Sequence, residues 1–381
     1  MSRHYLDHAS TSPLRPEARR AMLEALDGPA GDPSRVHEEG RVVRAALEDA
    51  RESVAELAGI GPAQVIFTSG ATEAVNAAVW GAARRQPGAI LCAGVEHSAV
   101  REASARLAPM VEVEVDGRGR ISPDAVESAG RRAIQEHGAV ALVHCQWANH
   151  EVGTLQPVAE VTEAARRLGA LVHVDAAAAF GHHPQAVADL GADLVSISSH
   201  KLGGPAGAGA LLVRRGLRLE PWLVGGSQER ARRGGLENLA ALAGFGAAAA
   251  LLSAEGVMAE EADRARELTD RVAELCRSLT EVDRYGDPDR RVAHIICVGV
   301  RGVEAEAVVI GLDQAGVAVH SGSACSSEVL EPSAVLAAMG VDADRSVRVS
   351  VGWSTREEDI TALEVALPEV VLRLRRLGRE A

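Results

Sequence analysis

The sequence contains almost no lysine. Its 381 residues include 40 lysines and arginines together, and only Lys201 is a lysine. Arginine supplies nearly every positive charge, so charge alone does not explain why a lysine stands beside His200 and before a glycine-rich run. A lysine amine can lose its proton and act as a nucleophile, whereas a guanidinium in practice cannot. The alternative is a lysine that has survived by chance.

Aromatic residues and long apolar runs are also scarce. Phe, Trp and Tyr make up 2% of the chain, so the core must be built mainly from Val, Leu, Ile and Ala. No stretch approaches about 20 consecutive apolar residues, which argues against a membrane span. Residues 1–10 lack the apolar segment of a signal peptide. We therefore expect a cytoplasmic protein.

Paired cysteines and excess positive charge are missing as well. The five cysteines are odd in number and scattered, with no CxxC spacing, so neither a disulfide framework nor a metal site is expected. The net charge of −13 argues against direct binding of nucleic acid, because phosphates require clustered Lys and Arg.

Short apolar runs alternate with amphipathic helical patterns over the first two thirds of the chain. This alternation predicts an α/β domain whose parallel or mostly parallel sheet is covered on both faces. From about Glu255 a long helical pattern is followed by further strand patterns, which predicts a smaller α+β domain. We place the large domain at 13–254 and the small domain at 1–12 and 255–381. The predicted strands of the large domain lie at 63–70, 88–94, 138–148, 170–177, 192–198 and 207–215.

Unusual polar residues follow these apolar runs directly. In parallel sheets, ligands bind at the carboxyl ends of strands, so we expect these residues to meet. Any one of them alone could be a turn or helix cap. The polar residues that follow the apolar runs are Thr68–Gly70, His97, Asn149–His150, Asp175 and Ser198–Lys201.

This set of residues fits one cofactor. An amine at Lys201 can form an imine, and Asp175 can pair with a cationic ring nitrogen. The helix start at Ala71 and Thr72 offers N–H groups and a hydroxyl for an anion, and Ser198 and His200 can add donors. An amine, a ring-nitrogen carboxylate and a phosphate cup together predict pyridoxal 5′-phosphate (PLP).

Cys325 lies in a Gly-, Ser- and Ala-rich segment, "HSGSACSSEVLEPS" at 320–333. Small residues give backbone freedom, so we expect a mobile loop that exposes the thiol. Structural cysteines more often lie in apolar runs, as Cys297 does.

The chain resembles the cysteine desulfurases of the NifS/IscS class nearly end to end. An active cysteine followed by L-E-P-S is the signature of the group with a long catalytic loop. The motifs that carry the resemblance include "IFTSGATEAVN" (66–76), "EHSAV" (96–100), "WANHEVG" (147–153), "HVDAA" (173–177), "SSHKLGGPAGAGAL" (198–211), "GGSQERARRGG" (225–235) and "SGSACSSEVLEPS" (321–333).

The resemblance implies PLP fold type I, with a mostly parallel seven-stranded sheet in the large domain. It implies conversion of L-cysteine to L-alanine, with sulfur carried as a persulfide on Cys325 to an acceptor protein by a homodimer. Lys201 would hold PLP and His97 would stack on the ring as an acid and base. Arg348 would clamp the substrate carboxylate. The implied cofactor contacts are Lys201, Ala71, Thr72, His97, Asn149, His150, Asp175, Ser198 and His200.

The chain departs from the family pattern at several positions. His150 and Ala178 replace an Asn and a Gln that contact the PLP 3′-oxygen, and we hypothesise that His150 compensates for both. Leu236 replaces a cross-subunit threonine, and Asp32 replaces an Asn near the substrate entrance. "GDP", "VGWST" and a short tail are similar to DndA-type desulfurases, which serve DNA phosphorothioation; supply of iron–sulfur clusters or tRNA thiolation remains open.

Two other classes of function stay open at this point. A selenocysteine lyase or another fold-type-I PLP aminotransferase would share the fold, but an aminotransferase would not need Cys325. A degenerate PLP-fold subunit that only binds a partner is the second alternative, favoured by the changed 3′-oxygen ligands and opposed by Lys201 and Cys325.

Overall fold

The computed structural model describes residues 3–321, 324–326 and 329–380, and it describes the backbone alone at 324–326, 329–331 and 379–380. The strands are β1 (His4–Tyr5), β2 (Val65–Thr68), β3 (Ala89–Ala93), β4 (Met110–Val113), β5 (Val140–His144), β6 (Leu171–Asp175), β7 (Leu194–Ser198), β8 (Gly209–Val213), β9 (Val282–Tyr285), β10 (Ile295–Val300), β11 (Val317–Ala318), β12 (His320–Ser321), β13 (Ala324–Ser326), β14 (Val329–Glu331) and β15 (Ser346–Ser350).

Helices separate most of the strands. They are α1 (Pro16–Asp27), α2 (Glu38–Ala58), α3 (Ala71–Arg85), α4 (Ser98–Leu107), α5 (Pro123–His137), α6 (Val158–Arg167), α7 (Gln228–Ala231), α8 (Leu239–Ser253), α9 (Val257–Ser278), α10 (Ala305–Gln314), α11 (Ala334–Ala338) and α12 (Glu357–Glu380). Short 3₁₀ turns lie at Pro62–Gln64, Val187–Leu190 and Ser199–Lys201.

The large sheet has seven strands in the order β2-β8-β7-β6-β5-β3-β4. Strands β7, β6, β5, β3 and β4 run parallel, and β8 is antiparallel to both of its neighbours. Six strands match predicted apolar runs, and all residues of β2, β3, β5, β7 and β8 are buried. The predicted α/β fold with a mostly parallel seven-stranded sheet is confirmed.

The edge strand β4 has no counterpart among the predicted runs. Its four residues alternate between exposed and buried side chains, because only one face of this edge strand packs on the core. An alternating strand lacks the continuous apolar run that marks the other six strands, so that criterion does not identify it.

Helix α8 crosses α1 and α2 in the layer beside the large sheet. It is apolar on all sides, as expected for a helix enclosed by protein. The helices approach closely at Gly246, where a Cβ atom would lie 2.6 Å from the Cα atom of Ala50. A larger residue at Gly246 would therefore push α8 away from α2.

A second core surrounds the sheet β12-β15-β10-β9 and includes side chains of α9, α10 and α12. The N-terminal segment belongs to this core, since Leu6 is fully buried in it and β1 pairs in parallel with β11. One face of the small sheet lies in this second core, whereas Ile295 and Cys297 of β10 pack with the core of the large sheet. The predicted boundary between residues 254 and 255 stays a prediction.

The Cys325 segment forms a short hairpin where the sequence predicted a loop. Strands β13 and β14 pair antiparallel, with Cys325 opposite Leu330. The structure describes the backbone of Cys325 but not its side chain.

The described residues contain no single helix long and apolar enough to cross a membrane. Helices α8 and α9 reach the necessary length and apolar character only when they are taken together, and the chain bends by 82° between them.

Candidate active site

A cavity of about 660 Å³ lies at the carboxyl ends of the large-sheet strands. On the other side it is closed by residues of the small sheet, including Arg348 of β15 and His320 of β12. Nine of the residues predicted to act on the cofactor or substrate line it, which is what the strand-end argument requires. They are Ala71, Thr72, His97, His150, Asp175, Ser198, His200, Lys201 and Arg348.

Lys201 occupies the turn that follows β7. The turn Ser199–Lys201 ends the strand and carries the amine into the cavity. Burial lowers the pKa of Lys201, while the negative charge of Asp175 acts in the opposite direction. A lowered pKa leaves more of the amine in the neutral, nucleophilic form.

Asp175 ends β6 and faces the same cavity. Its Oδ1 accepts hydrogen bonds from the Ala177 backbone N–H at 3.0 Å and from the Ser196 hydroxyl at 3.3 Å. These bonds fix the carboxylate and leave Oδ2 to meet a positively charged ring nitrogen.

Glu96 is a cavity residue that the sequence reasoning missed. Its Oε1 accepts the Gln146 backbone N–H at 2.7 Å, and its buried Oε2 has no hydrogen-bond partner among the described residues. Burial raises the pKa of Glu96 to about 8, reinforced by the charge of Asp175 and opposed by the Gln146 N–H. Glu96 therefore carries a proton at neutral pH. The only signal was its place directly before His97, just after a strand.

His97 and His150 lie together on one wall of the cavity. His97 precedes α4 and caps it, because Nδ1 accepts the Ala99 N–H at 3.1 Å. Burial lowers the pKa of His97 to about 4, His150 adds to this effect, and Asp175 opposes it. The two rings meet edge to face with centroids 5.0 Å apart. A neutral His97 can accept or release a proton and can pack against an aromatic ring.

The N-terminus of α3 forms the predicted anion cup. Ala71 and Thr72 line the cavity at the positive end of this 15-residue helix. Glu73 stabilises the preceding turn, since Oε2 accepts the Ser69 N–H at 2.8 Å and Oε1 pairs with Arg233 at 2.9 Å. Across the cavity, the Ser198 hydroxyl and His200 Nδ1 are hydrogen-bonded to each other at 2.8 Å.

Arg348 is held in place by three groups that the sequence did not reveal. Nη1 donates to the His150 carbonyl at 2.8 Å, and Nη2 donates to Asp7 Oδ1 at 2.8 Å and to Ser10 Oγ at 2.6 Å. Its Nε is buried and has no partner among the described residues. A buried, unpaired N–H beside a cavity is costly unless a ligand accepts from it, which suits a substrate carboxylate.

Both flanks of the Cys325 hairpin reach the cavity. His320 and Ser321 line it before the hairpin, and Ser333 lines it afterwards. Ser333 caps α11 and its hydroxyl donates to Glu151 Oε2 at 2.6 Å. The exit of the hairpin is therefore fixed beside His150, whose Nε2 lies 3.6 Å from Glu151 Oε1.

Three predicted positions lie away from the cavity. Asn149 is fully buried and its amide supports the local backbone: Oδ1 accepts the N–H groups of Glu151 and Val152, and Nδ2 donates to the Val95 carbonyl. Its side chain does not line the cavity, because it is hydrogen-bonded within the turn that carries His150. Asp32 caps a turn by accepting from Ser34, and Leu236 is exposed.

The described part of the chain contains no cluster of three His, Cys, Asp or Glu side chains suited to a metal ion.

The sequence profile of the class-V aminotransferases matches residues 4–363. The chain belongs to the class-V aminotransferase family. Among curated members, cysteine desulfurase IscS 1 of Archaeoglobus fulgidus is 38% identical over 384 residues, which cover 98% of each chain.

Solved structures show the same fold and confirm the predicted PLP fold type I. A NifS-like protein from Rickettsia africae superposes with a TM-score of 0.88 at 27% identity, covering 97% of this chain and 99% of its own. A structure described as SspA in complex with cysteine superposes with a TM-score of 0.78 at 26% identity, covering 93% of this chain and all of its own.

Members of the class-V family use PLP, and the residues of this cavity fit it. A cavity lysine, a fixed carboxylate and a helix N-terminus match the aldehyde, ring nitrogen and phosphate of the cofactor. When bound, PLP supplies an electron sink for the chemistry at the substrate Cα atom.

Proposed function

We propose that the protein is a cysteine desulfurase that converts L-cysteine to L-alanine and places the sulfur on Cys325. The observation that carries this proposal is the composition of one cavity. Lys201, Asp175 and Arg348 line it together with both flanks of the Cys325 hairpin. The names of the curated relatives point to the same activity.

Each residue has a defined task in this proposal. Arg348 binds the substrate carboxylate, and Lys201 holds PLP and moves the proton at the substrate Cα atom. The Cys325 thiolate attacks the substrate sulfur, so an S–S bond forms as the C–S bond breaks. L-cysteine and the enzyme thiol thus yield L-alanine and an enzyme persulfide, and no external oxidant is consumed.

The test is release of alanine from L-cysteine, with the persulfide located by mass spectrometry. Cys325→Ala and Lys201→Ala should each abolish alanine formation. Cys276→Ala, at a buried position in α9, serves as the matched control and should retain it. Undiminished alanine release by Cys325→Ala would contradict a role of this thiol in sulfur removal, whereas formation of a keto acid in place of alanine would indicate an aminotransferase. Preference for L-selenocysteine would indicate a lyase for that substrate.

We also propose that a protein accepts the sulfur and that the pathway is DNA phosphorothioation. Support comes from the likeness of residues 31–33 and 351–355 to desulfurases of that pathway. In cells that carry the modification, loss of the protein should remove phosphorothioate from DNA, and wild type but not Cys325→Ala should restore it. Unchanged DNA with a loss of iron–sulfur enzyme activity would favour cluster supply.

A cytoplasmic homodimer is the proposed working form. Support comes from an exposed apolar segment, in which Trp222, Val224 and Leu236 are 43%, 74% and 62% exposed. Single apolar residues on a surface are ordinary, but several within 15 residues favour contact with another chain. Light scattering should give twice the chain mass, and Val224→Glu should lower it.

A further inference from the structure

The backbone carbonyl groups of Lys201 and Leu202 accept hydrogen bonds from side chains outside the Ser199–Lys201 turn. The Lys201 carbonyl accepts from His182 Nε2 at 3.0 Å, and the Leu202 carbonyl accepts from Arg15 Nε at 2.9 Å. A carbonyl can only accept, so Nε2 of His182 must carry the proton. Burial lowers the pKa of His182 to about 4, so the ring is neutral at physiological pH.

The ring of His182 stacks on a second histidine. Its centroid lies 4.0 Å from that of His294, with an angle of 22° between the planes. His294 precedes β10, and its carbonyl accepts the Val351 N–H at 3.0 Å. Val351 directly follows β15, the strand that carries Arg348. A continuous set of contacts therefore joins the backbone of Lys201 to the strand of Arg348.

A histidine at position 294 is less favourable for packing alone than an apolar aromatic residue would be. His294 is buried, and its Nδ1 has no hydrogen-bond partner among the described residues. A phenylalanine would fill a similar volume without an unpaired nitrogen. The neighbouring His183 differs, since its ring meets Trp147 and makes no bond to Lys201.

We propose that His182 and His294 are positioning residues that keep the Lys201 amine and the Arg348 guanidinium at the spacing an amino-acid substrate requires. Lys201 comes from the large sheet and Arg348 from the small sheet, so their spacing depends on contacts between the two cores. The stack is such a contact, and its hydrogen bond fixes the lysine turn directly. This inference rests on the proposed function only in taking an amino acid as the substrate.

The experiment measures PLP retention and the binding of L-alanine to the holoenzyme, followed by the visible absorbance of bound PLP. His182→Phe keeps an aromatic ring and removes the donor, and we expect roughly tenfold weaker L-alanine binding, the size of one lost hydrogen bond. His182→Gln retains an N–H donor and should recover most of that loss. His183→Phe is the matched control and should bind L-alanine as wild type does.

His294 tests whether the stack transmits the effect. His294→Ala removes the ring and should weaken L-alanine binding to a similar extent, whereas His294→Phe preserves stacking and should stay near wild type. In the double variant His182→Phe/His294→Ala the two losses should not multiply, because both break one set of contacts.

Two results would overturn the inference: L-alanine affinity within about twofold of wild type in both His182→Phe and His294→Ala, or losses that multiply in the double variant. Failure of the desulfurase proposal is a separate outcome, since neither PLP retention nor L-alanine binding requires sulfur release. A protein that releases no alanine from L-cysteine but shows the coupled losses would retain the positioning roles.

Discussion

The ion pair between Arg51 and Glu229 gives the most quantitative prediction for this protein. Two hydrogen bonds of 2.7 Å join the side chains, which are 4% and 1% exposed. Glu229 also accepts the Phe67 N–H of β2 at 2.8 Å, and the Arg51 guanidinium lies 4.6 Å from the centre of the Phe67 ring. The carboxylate therefore joins helix α2, strand β2 and the segment that follows β8.

Glu229→Ala should lower the free energy of unfolding substantially. Removing one partner of a buried ion pair costs about 3 to 5 kcal/mol, because the remaining charge stays buried. The unpaired Phe67 N–H adds about 1 to 3 kcal/mol. Because Arg51 also contacts Glu48, which is closer to solvent, part of its charge remains compensated. We expect a total loss of about 4 to 6 kcal/mol.

The double variant Arg51→Met/Glu229→Met separates charge from packing. It removes both charges, leaves the Phe67 N–H unpaired and removes the 3.2 Å hydrogen bond from Arg51 to the Val65 carbonyl, so it should lose about 2 to 4 kcal/mol and be more stable than Glu229→Ala. Urea unfolding of the holoenzyme, followed by circular dichroism, measures both. Glu274→Ala is the control, since its pair with Arg277 is 71% exposed on both sides and should change stability by less than about 0.5 kcal/mol. Equal losses in Glu229→Ala and Glu274→Ala would refute the reasoning.

Three further predictions concern charge and pH. Burial lowers the pKa values of His8 and His173 to about 4, so between pH 6.5 and 4 the unfolded chain binds protons that the folded protein does not. The free energy of unfolding should therefore fall as pH drops through this range, by up to about 3 kcal/mol per histidine. Proton uptake on unfolding at pH 5.5 measures this, and none would contradict it. Burial raises the pKa of Glu96 to about 8, so the stability of the wild-type protein should fall as pH rises from 4.5 to 8. Glu96→Gln has no such carboxyl group and should therefore gain stability relative to wild type over this range. The same difference between the urea midpoints of the two proteins at pH 5 and at pH 8 would argue against this. Arg348→Lys should raise KM for L-cysteine at least about tenfold, because an ammonium lacks the planar donor pair, and an unchanged KM would remove Arg348 from carboxylate binding.

The positions of six of the seven large-sheet strands and the position of the site were accessible from sequence because they depend on local patterns. Apolar runs identify buried strands, and parallel strands bring their carboxyl ends to one edge, so residues far apart in sequence such as Asp175 and Lys201 could be placed together. The same argument does not show where a side chain points. Asn149 follows a strand as His150 does, yet its amide is used by its own turn.

The contacts that orient the site could not be predicted, because they join segments without a shared pattern. Asp7 and Ser10 hold Arg348 across more than 330 positions of sequence. The role of His182 depends on its distance to one carbonyl, and nothing in "AAAAFGHHPQ" separates it from His183. Glu229 lies in a charged stretch that suggests a surface, whereas three successive residues with positive φ, Glu229–Ala231, turn it inward.

The pairing of the N-terminal segment has a consequence for synthesis on the ribosome. Tyr5 lies opposite Ala318, and Asp7 pairs with Ser350 and binds Arg348. Tyr5 and Asp7 must therefore wait, without these partners, until residues 317–350 have been translated. The large sheet, complete by Val213, can form much earlier. The nascent protein thus acquires its lysine pocket before Arg348 is in place, so under the proposed function a chain that stops before β15 would lack the group that binds the substrate carboxylate.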